Sequence, residues 1–224
     1  MLTLHSAHRS EFVIDDELVA EWADASASSA FQRVRTSAVG PASADALLSF
    51  GFVVRQELDF LVADLARLDE PRRDTNWRIG RIRAVDAVRI DVAAFGDEWA
   101  LDDVAFRNSC TATQLFRVRG ARSRRSLPAS RPLGYCLTGA SEDTSYLQRL
   151  AVSPPGRRRG AARALLGDAT RWARGLGAQR MFVNTDVDNA AALSLYGQWG
   201  FEPVGYRLRV MECDRTTLLA RGGR

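Results

Sequence analysis

Leu150-Ala151-Val152-Ser-Pro154-Pro-Gly-Arg157-Arg158-Arg159-Gly160-Ala161-Ala162 is the stretch of this chain whose residue types and order carry the clearest chemistry. An apolar run is stopped by two prolines, three arginines follow, and a helix opens at a glycine. The first turn of a helix leaves backbone N–H groups unpaired and carries about half a positive charge, so a diphosphate can rest on it. Gly160, Ala161 and Ala162 keep side chains out of the way, while Arg157, Arg158 and Arg159 add charge-assisted donors. Taken alone, an arginine-rich helix start is more often a solvated face.

A second block, Asn189-Ala-Ala-Ala-Leu-Ser-Leu-Tyr196-Gly-Gln-Trp-Gly200-Phe201, places Asn189 and Tyr196 seven positions apart on one helix. Such residues share a face, turned by about 20° and about 10 Å apart along the axis, and can touch one elongated ligand. The plainer reading makes Asn189 an N-cap and Tyr196 a half-buried core aromatic.

Together the two blocks resemble the GNAT superfamily of N-acetyltransferases. Val152, Pro154, Arg157, Gly160 and Ala162 match its V-x-P-x-x-[R/Q]-x-x-G-x-[G/A] signature, and the second block is similar to its N-x-x-A-x-x-L-Y-x-x-x-G-F helix. The likeness extends over residues 77 to about 213 and leaves 1–69 outside a single copy. It implies an α/β (α+β) fold with a central mixed, mostly antiparallel twisted sheet flanked by helices and a splayed strand pair at an acetyl-CoA cleft. It also implies acetyl-CoA as cosubstrate, and direct attack of a neutral amine on the thioester within a ternary complex.

By the same resemblance, backbone groups of Leu150, Ala151 and Val152 hold the pantetheine and polarise the carbonyl, while Arg157 to Ala162 and Asn189 complete the coenzyme contacts. Tyr196 becomes the candidate acid toward the departing thiolate. With a phenol near pKa 10 and a thiol near 8.5, full transfer is uphill by about 2 kcal/mol, so hydrogen bonding to the thiolate is the expected contribution. The base is not evident, since Asn184 stands where related enzymes acting on ribosomal-protein N-termini carry a Glu. Asp186, Glu142, Asp143 and Glu98 are the carboxylates near the expected cleft, each more often a turn or surface acid, and Tyr146 and Gln148 are candidates to order a water. A weak base suffices for an α-amine, about 10–20% neutral at pH 7, but not for a lysine amine, about 0.04% neutral. The expected acceptor is therefore an α-amine, aminoglycoside or other low-pKa amine.

The elements that must position these groups follow from punctuation and periodicity. Asp69 to Asn76 is polar and contains a proline, which sets a boundary near residue 70 between an N-terminal segment (1–69) and the acetyltransferase domain (70–224). Downstream, a strand is expected over 78–85, a helix capped by Asp86 and running to Phe95, a second helix over 101–109, and strands over 113–118, 132–138 and 144–153. Gly139 to Asp143 suits a hairpin turn. Ala162, Leu165, Leu166, Ala169, Trp172, Ala173 and Leu176 form one helical stripe ended by Gly175 and Gly177. A strand over 180–184, a helix over 189–199 and a strand pair over 204–219 complete the order. Gln32-Arg-Val-Arg, the helix-like 42–50, Gly51-Phe52 and the strand-like tail echo Gln179 onward, and a helix over 17–28 echoes the one at Gly160. Residues 12–65 thus read as a worn copy of half the catalytic domain, although any helix, strand, helix, hairpin unit shares that order.

Hydrophobic residues make up 46% of the 224 residues, enough for a substantial core. The longest apolar stretches fall short of the ~20 residues a membrane span needs and the start lacks a signal-peptide core, so a cytoplasmic protein without membrane partners is expected. Three cysteines without paired spacing and only two histidines point to free thiols and no metal. The net charge of +4 comes from arginine alone, as no lysine occurs. The run Arg117-Val-Arg-Gly-Ala-Arg122-Ser-Arg-Arg125 reads as a solvated loop between strands; contact with RNA or a ribosome is the alternative, without an aromatic platform to support it. A homodimer is compatible with all of this. The competing functional reading is a non-catalytic CoA-binding or regulatory module, suggested by the missing base.

Overall fold

The computed structural model describes residues 2–4, 14–27, 32–68, 76–125 and 130–222. The boundary segment at 69–75 lies outside the described residues. The chain divides into two compact units, one of residues 1–60, 184–193 and 203–224, the other of 61–183 and 194–202.

The larger unit is built on strands β4 (Trp77–Gly80), β5 (Leu115–Ser123), β6 (Gly134–Ser141), β7 (Thr144–Val152) and β8 (Arg180–Asp186), in the order β8-β7-β6-β5-β4. Its pairs are antiparallel except β7 with β8, which is parallel. Helices α3 (Ala84–Phe95) and α4 (Asp103–Thr111) cover one face, where Ala87, Ile90, Phe106 and Cys110 pack on Tyr135, Leu137 and Ala151. Side chains alternate along a strand, so Cys136 faces the other way, and its thiol lies 3.9 Å from the Leu165 carbonyl of α5 (Ala161–Gly175). Leu165 and Leu166 are fully buried, each contributing about 2 kcal/mol of apolar burial.

The α5 stripe is wider than its spacing implies: Ala161, Ala164, Gly167 and Thr170 are also buried, while Leu176, the C-cap, is 41% exposed. Three other boundaries differ. The strand expected over 78–85 stops at Gly80, and α3 begins at Ala84 with Arg83 as N-cap. Asp86 is therefore no cap; it is buried inside the first turn, where the Arg83 guanidinium donates to it at 3.0 Å. The arginine run is no loop either, because Arg117, Arg119 and Arg122 lie within β5; Arg117 Nη2 reaches Asp168 of α5 at 2.8 Å and Arg122 donates to the Arg81 carbonyl. The expected hairpin is present, tightened to Glu142 and Asp143, with Glu142 in the left-handed region at φ 54°.

The smaller unit orders β1 (Leu2–Leu4), β2 (Arg33–Val39), β9 (Glu202–Asp214) and β3 (Val53–Asp64), with β2 antiparallel to β9. Helices α1 (Asp16–Ala27), α2 (Pro41–Ser49) and α7 (Arg215–Gly222) bring Val19, Leu47 and Leu218 onto Val34, Phe52, Met211 and Cys213. The strand pair expected over 204–219 is one strand followed by a helix. The β2 ladder ends at the Arg33–Asp214 pair, and Arg215 onward coils against α1. Helix α6 (Ala190–Gln198) runs between β8 and β9.

Candidate active site

β7 and its parallel neighbour β8 separate along their length. β7 and β8 are in register only from Thr144–Arg180 to Tyr146–Phe182, where the two rings stack at 5.9 Å and 24°. Beyond Tyr146 the strand runs six more residues with β6 on one side alone. The β6–β7 register also shifts there: Leu137 faces Arg149 and Thr138 faces Leu147, so Gln148 is an extra residue bulged out of the ladder. A parallel pair that parts at a bulge leaves main-chain donors and acceptors of Leu147 to Val152 on the β8 side for a ligand.

The Ser153–Gly160 turn carries this strand into α5. Ser153 anchors it through its amide and hydroxyl, both donating to the Leu133 carbonyl at 2.8 Å. Gly156 packs so tightly that an added Cβ would lie 3.0 Å from Leu133 and Val152 side-chain atoms. Arg158 (φ 58°) and Gly160 (φ 84°) both adopt left-handed backbone. Gly160 is the N-cap and provides no side-chain cap, and the first helical bond is Ala164 N–H to the Gly160 carbonyl at 2.9 Å. Ala161 is buried and Ala162 half-buried, so the opening turn offers amides without side chains over them.

The three arginines divide their work. The Arg157 guanidinium donates to the Val152 carbonyl at 3.1 Å and the Ala94 carbonyl at 3.0 Å, bracing the strand end against α3. The Arg159 carbonyl accepts from Trp77 Nε1 at 2.7 Å. Arg158 and Arg159 are exposed, and their guanidinium groups make no ion pair among the described residues.

Tyr196 is brought to the same place. Arg163, in the first turn of α5, donates to Gln198 Oε1 at 2.7 Å and holds the end of α6 beside the start of α5. Tyr196 is 4% exposed, packs on Phe201 at 5.5 Å, and its hydroxyl makes no hydrogen bond among the described residues. Burial, with a smaller contribution from Cys136, pushes its phenol well above the ordinary range. Cys136 is directly opposite Leu150 in the ladder, and burial pushes its own thiol up to about 12. Tyr196 is thus a poorer proton donor than an exposed phenol, and a hydrogen bond to a thiolate suits it better than proton release. Asn189, exposed at the head of α6, accepts from the Ala192 amide through Oδ1 at 3.2 Å and acts there as an N-cap.

The candidate bases sit in turns or at exposed positions. Asp186 accepts from the Asp188 amide at 2.7 Å and from Gln56 Nε2, as a turn acid does. Glu142 and Asp143 are exposed in the hairpin, Glu98 is exposed after α3, and Asn184 is exposed on β8. Tyr146 is half-buried, and its phenol is raised chiefly by burial. Gln148 donates to the Ser109 carbonyl at 3.1 Å, and its Oε1 is buried without a donor.

Sequence reasoning missed one network. Asp91, fully buried on α3, accepts from Arg149 Nε (2.9 Å) and Nη2 (2.7 Å), from the Tyr135 hydroxyl (2.6 Å) and from the Leu101 amide (2.7 Å). The only hint was a charged residue, Arg149, in an otherwise apolar strand end. Among the described residues there is no group of three or more His, Cys, Asp or Glu able to hold a metal, and no helix is long and apolar enough to cross a membrane.

Comparison with known proteins agrees with this geometry. Residues 121–201 match the model of the acetyltransferase (GNAT) family. Over 66 residues the chain is 38% identical to the uncharacterized N-acetyltransferase YobR of Bacillus subtilis, covering 28% of this chain and 27% of that protein. The chain therefore spans about a quarter of the length of the curated relative it matches. Among solved structures, a GCN5-related N-acetyltransferase from Sphaerobacter thermophilus superposes with a TM-score of 0.58 at 17% identity, over 82% of this chain and 60% of the other. A tandem GNAT protein from the clavulanic acid biosynthesis pathway gives 0.61 at 13% identity, over 88% and 69%. At such identities the likeness is one of fold.

Proposed function

We propose that this chain, whose residues 121–201 match the acetyltransferase (GNAT) family, is an acetyl-CoA-dependent N-acetyltransferase that modifies a low-pKa amine, such as a peptide α-amine or an aminoglycoside. The observation that carries this reading is the uncapped start of α5 behind a left-handed Gly160, at the end of a strand that bulges at Gln148 and parts from its parallel neighbour after Tyr146. The residues fit the coenzyme: the opening amides of α5, with Arg158 and Arg159, would hold a diphosphate, and the open edge of Leu147 to Val152 would pair with an extended amide-bearing arm.

Bound acetyl-CoA would supply an activated thioester to an amine. The chain's own groups then have two tasks. Main-chain donors at the bulge stabilise negative charge on the carbonyl oxygen, where a preorganised donor is worth about 3 kcal/mol. Tyr196, protonated across the working pH range, donates a hydrogen bond to the departing sulfur. Asn184 stands where related enzymes carry a Glu base, which favours acceptors already partly neutral near pH 7.

Two measurements test the reading. Calorimetric titration with CoA should show saturable binding, and acetyl-CoA should release free thiol when α-amine peptides or aminoglycosides are added. No uptake of CoA by folded protein defeats the proposal. Equal turnover on lysine and α-amine peptides defeats the acceptor class alone.

A further inference from the structure

The β7 bulge is not held by the ladder, because a bulge is where the ladder is broken. It is held from the side. Arg149, the residue after bulged Gln148, projects onto the α3 and α4 face, and its guanidinium makes a two-point fork with Asp91. The same Nη2 donates to the Trp99 carbonyl at 2.6 Å, and the guanidinium lies 3.8 Å from the centroid of the Phe95 ring. Asp91 is itself immobilised by the Tyr135 hydroxyl of β6 and by the Leu101 amide of the turn leading to α4. Both carboxylate oxygens are occupied, and the fork's plane is fixed by the ring beneath it. Four separate pieces of the unit, α3, its following turn, β6 and β7, therefore meet at one ion pair.

We propose that Arg149 is a positioning residue of the acyl-transfer site: locked to Asp91, it fixes where β7 leaves its ladder and so where the main-chain groups of Leu147 to Val152 stand toward the acyl carbonyl. The inference rests on the acetyl-CoA reading above. A slip of the bulge by one residue would exchange the faces of the following side chains and turn the carbonyl-facing donors away. The α5 opening, reached through Ser153 and Gly160, grips the coenzyme's far end without Arg149. Positioning of the reacting carbonyl and affinity for the coenzyme are thus separable in this fold, which a merely structural ion pair would not allow.

Two substitutions separate them. Arg149→Lys keeps the charge and gives up the fork; Tyr135→Phe keeps the fork and removes one hydroxyl from Asp91. CoA affinity is read by calorimetry, kcat by thiol release, and folding by melting temperature. For Arg149→Lys, CoA affinity is expected to fall by no more than about tenfold, the share of the arm held at Leu147 to Val152, with kcat about 100-fold lower, the cost of a misplaced reacting group. Tyr135→Phe moves kcat the same way by about fivefold, and it carries the test should the lysine variant not fold. Unchanged kcat in the folded variants overturns the proposal. So does a parallel fall of kcat, CoA affinity and melting temperature, the pattern of lost packing. Wild-type protein that takes up no CoA defeats the acyl-transfer reading instead, a failure that appears without any substitution.

Discussion

Leu47 and Tyr196 end their helices with the same set of hydrogen bonds. The Phe52 amide donates to the Leu47 carbonyl at 3.1 Å and the Phe201 amide to the Tyr196 carbonyl at 3.0 Å. Gly51 bonds Leu48 and Gly200 bonds Gly197, with both glycines left-handed at φ 86° and 74°. These are two complete Schellman caps on related strings, Leu-Leu-Ser-Phe-Gly-Phe and Tyr-Gly-Gln-Trp-Gly-Phe. The α1-β2-α2-β3 order matches α5-β8-α6-β9, an order that any helix, strand, helix, hairpin unit shares.

One CoA per chain is the expected calorimetric stoichiometry. On the half-copy reading Leu47 stands at the tyrosine's position and is fully buried, and the Leu18 amide at the start of α1 is taken by the Asp15 carboxylate at 3.0 Å. An acid at that position repels a diphosphate. Two equivalent sites would contradict this.

Gly160→Ala should weaken CoA binding about tenfold or more by titration, because a Cβ at φ 84° costs about 1–2 kcal/mol and crowds the opening amides. Gly175→Ala, at a position where an added Cβ meets nothing within 4 Å, is the matched control and should bind as wild type does.

Tyr196→Phe should lower kcat by about 10- to 100-fold with little change in the KM for acetyl-CoA, the worth of one hydrogen bond to a charged sulfur. Because burial raises the phenol, wild-type kcat should show no loss from tyrosine ionisation between pH 8 and about 10. A fall in wild type over that range that is absent from the phenylalanine variant would argue against it.

Stability should decline on the alkaline side. The Cys136 thiol is raised from an ordinary 9.0 to about 12 in the fold. A group raised in this way stabilises fully below its unfolded value and loses that contribution as pH climbs through the folded one. Melting temperature should drop between about pH 9 and 12, less steeply in Cys136→Ala. All three cysteines are buried, so a thiol reagent should find none of them until the protein is unfolded.

On the acid side the sensitive group is Glu212. Its burial opposes ionisation, but hydrogen bonds from Arg35 at 2.7 and 3.0 Å and from Arg33 at 3.2 Å outweigh that and hold it below its ordinary range. Its contribution is present above about pH 4.5 and disappears as pH falls through the lower folded value. Glu212→Gln should flatten the acid arm of the stability curve. Arg35→Met, which leaves the Glu212 carboxylate with Arg33 alone, should cost about 1–3 kcal/mol by denaturant titration at pH 7.

Much of the site was legible because its signals are local. Pro154, Gly160 and the α5 stripe announce a strand, a turn and a helix within thirty residues, and Gly200-Phe201 announces a helix end. The errors arose where distant partners decide. Arg117 and Arg119 belong to a strand because Asp168, some fifty positions on, receives them. Thr216 and Thr217 look like strand residues, yet the ladder has already ended at Asp214. Asp91 and Arg149 lie 58 positions apart, and nothing in their spacing joins them. Nor does composition foretell that Asp186 accepts from the Asp188 amide.

The stacked Tyr146 and Phe182 close the fork between β7 and β8 at a fixed depth. On the acetyl-CoA reading proposed above, a slot that tapers to two aromatic rings would act as a gauge, with short acyl tails ending before the wedge and longer ones running into it. Enlarging the apex with Phe182→Ala would then let longer chains pass.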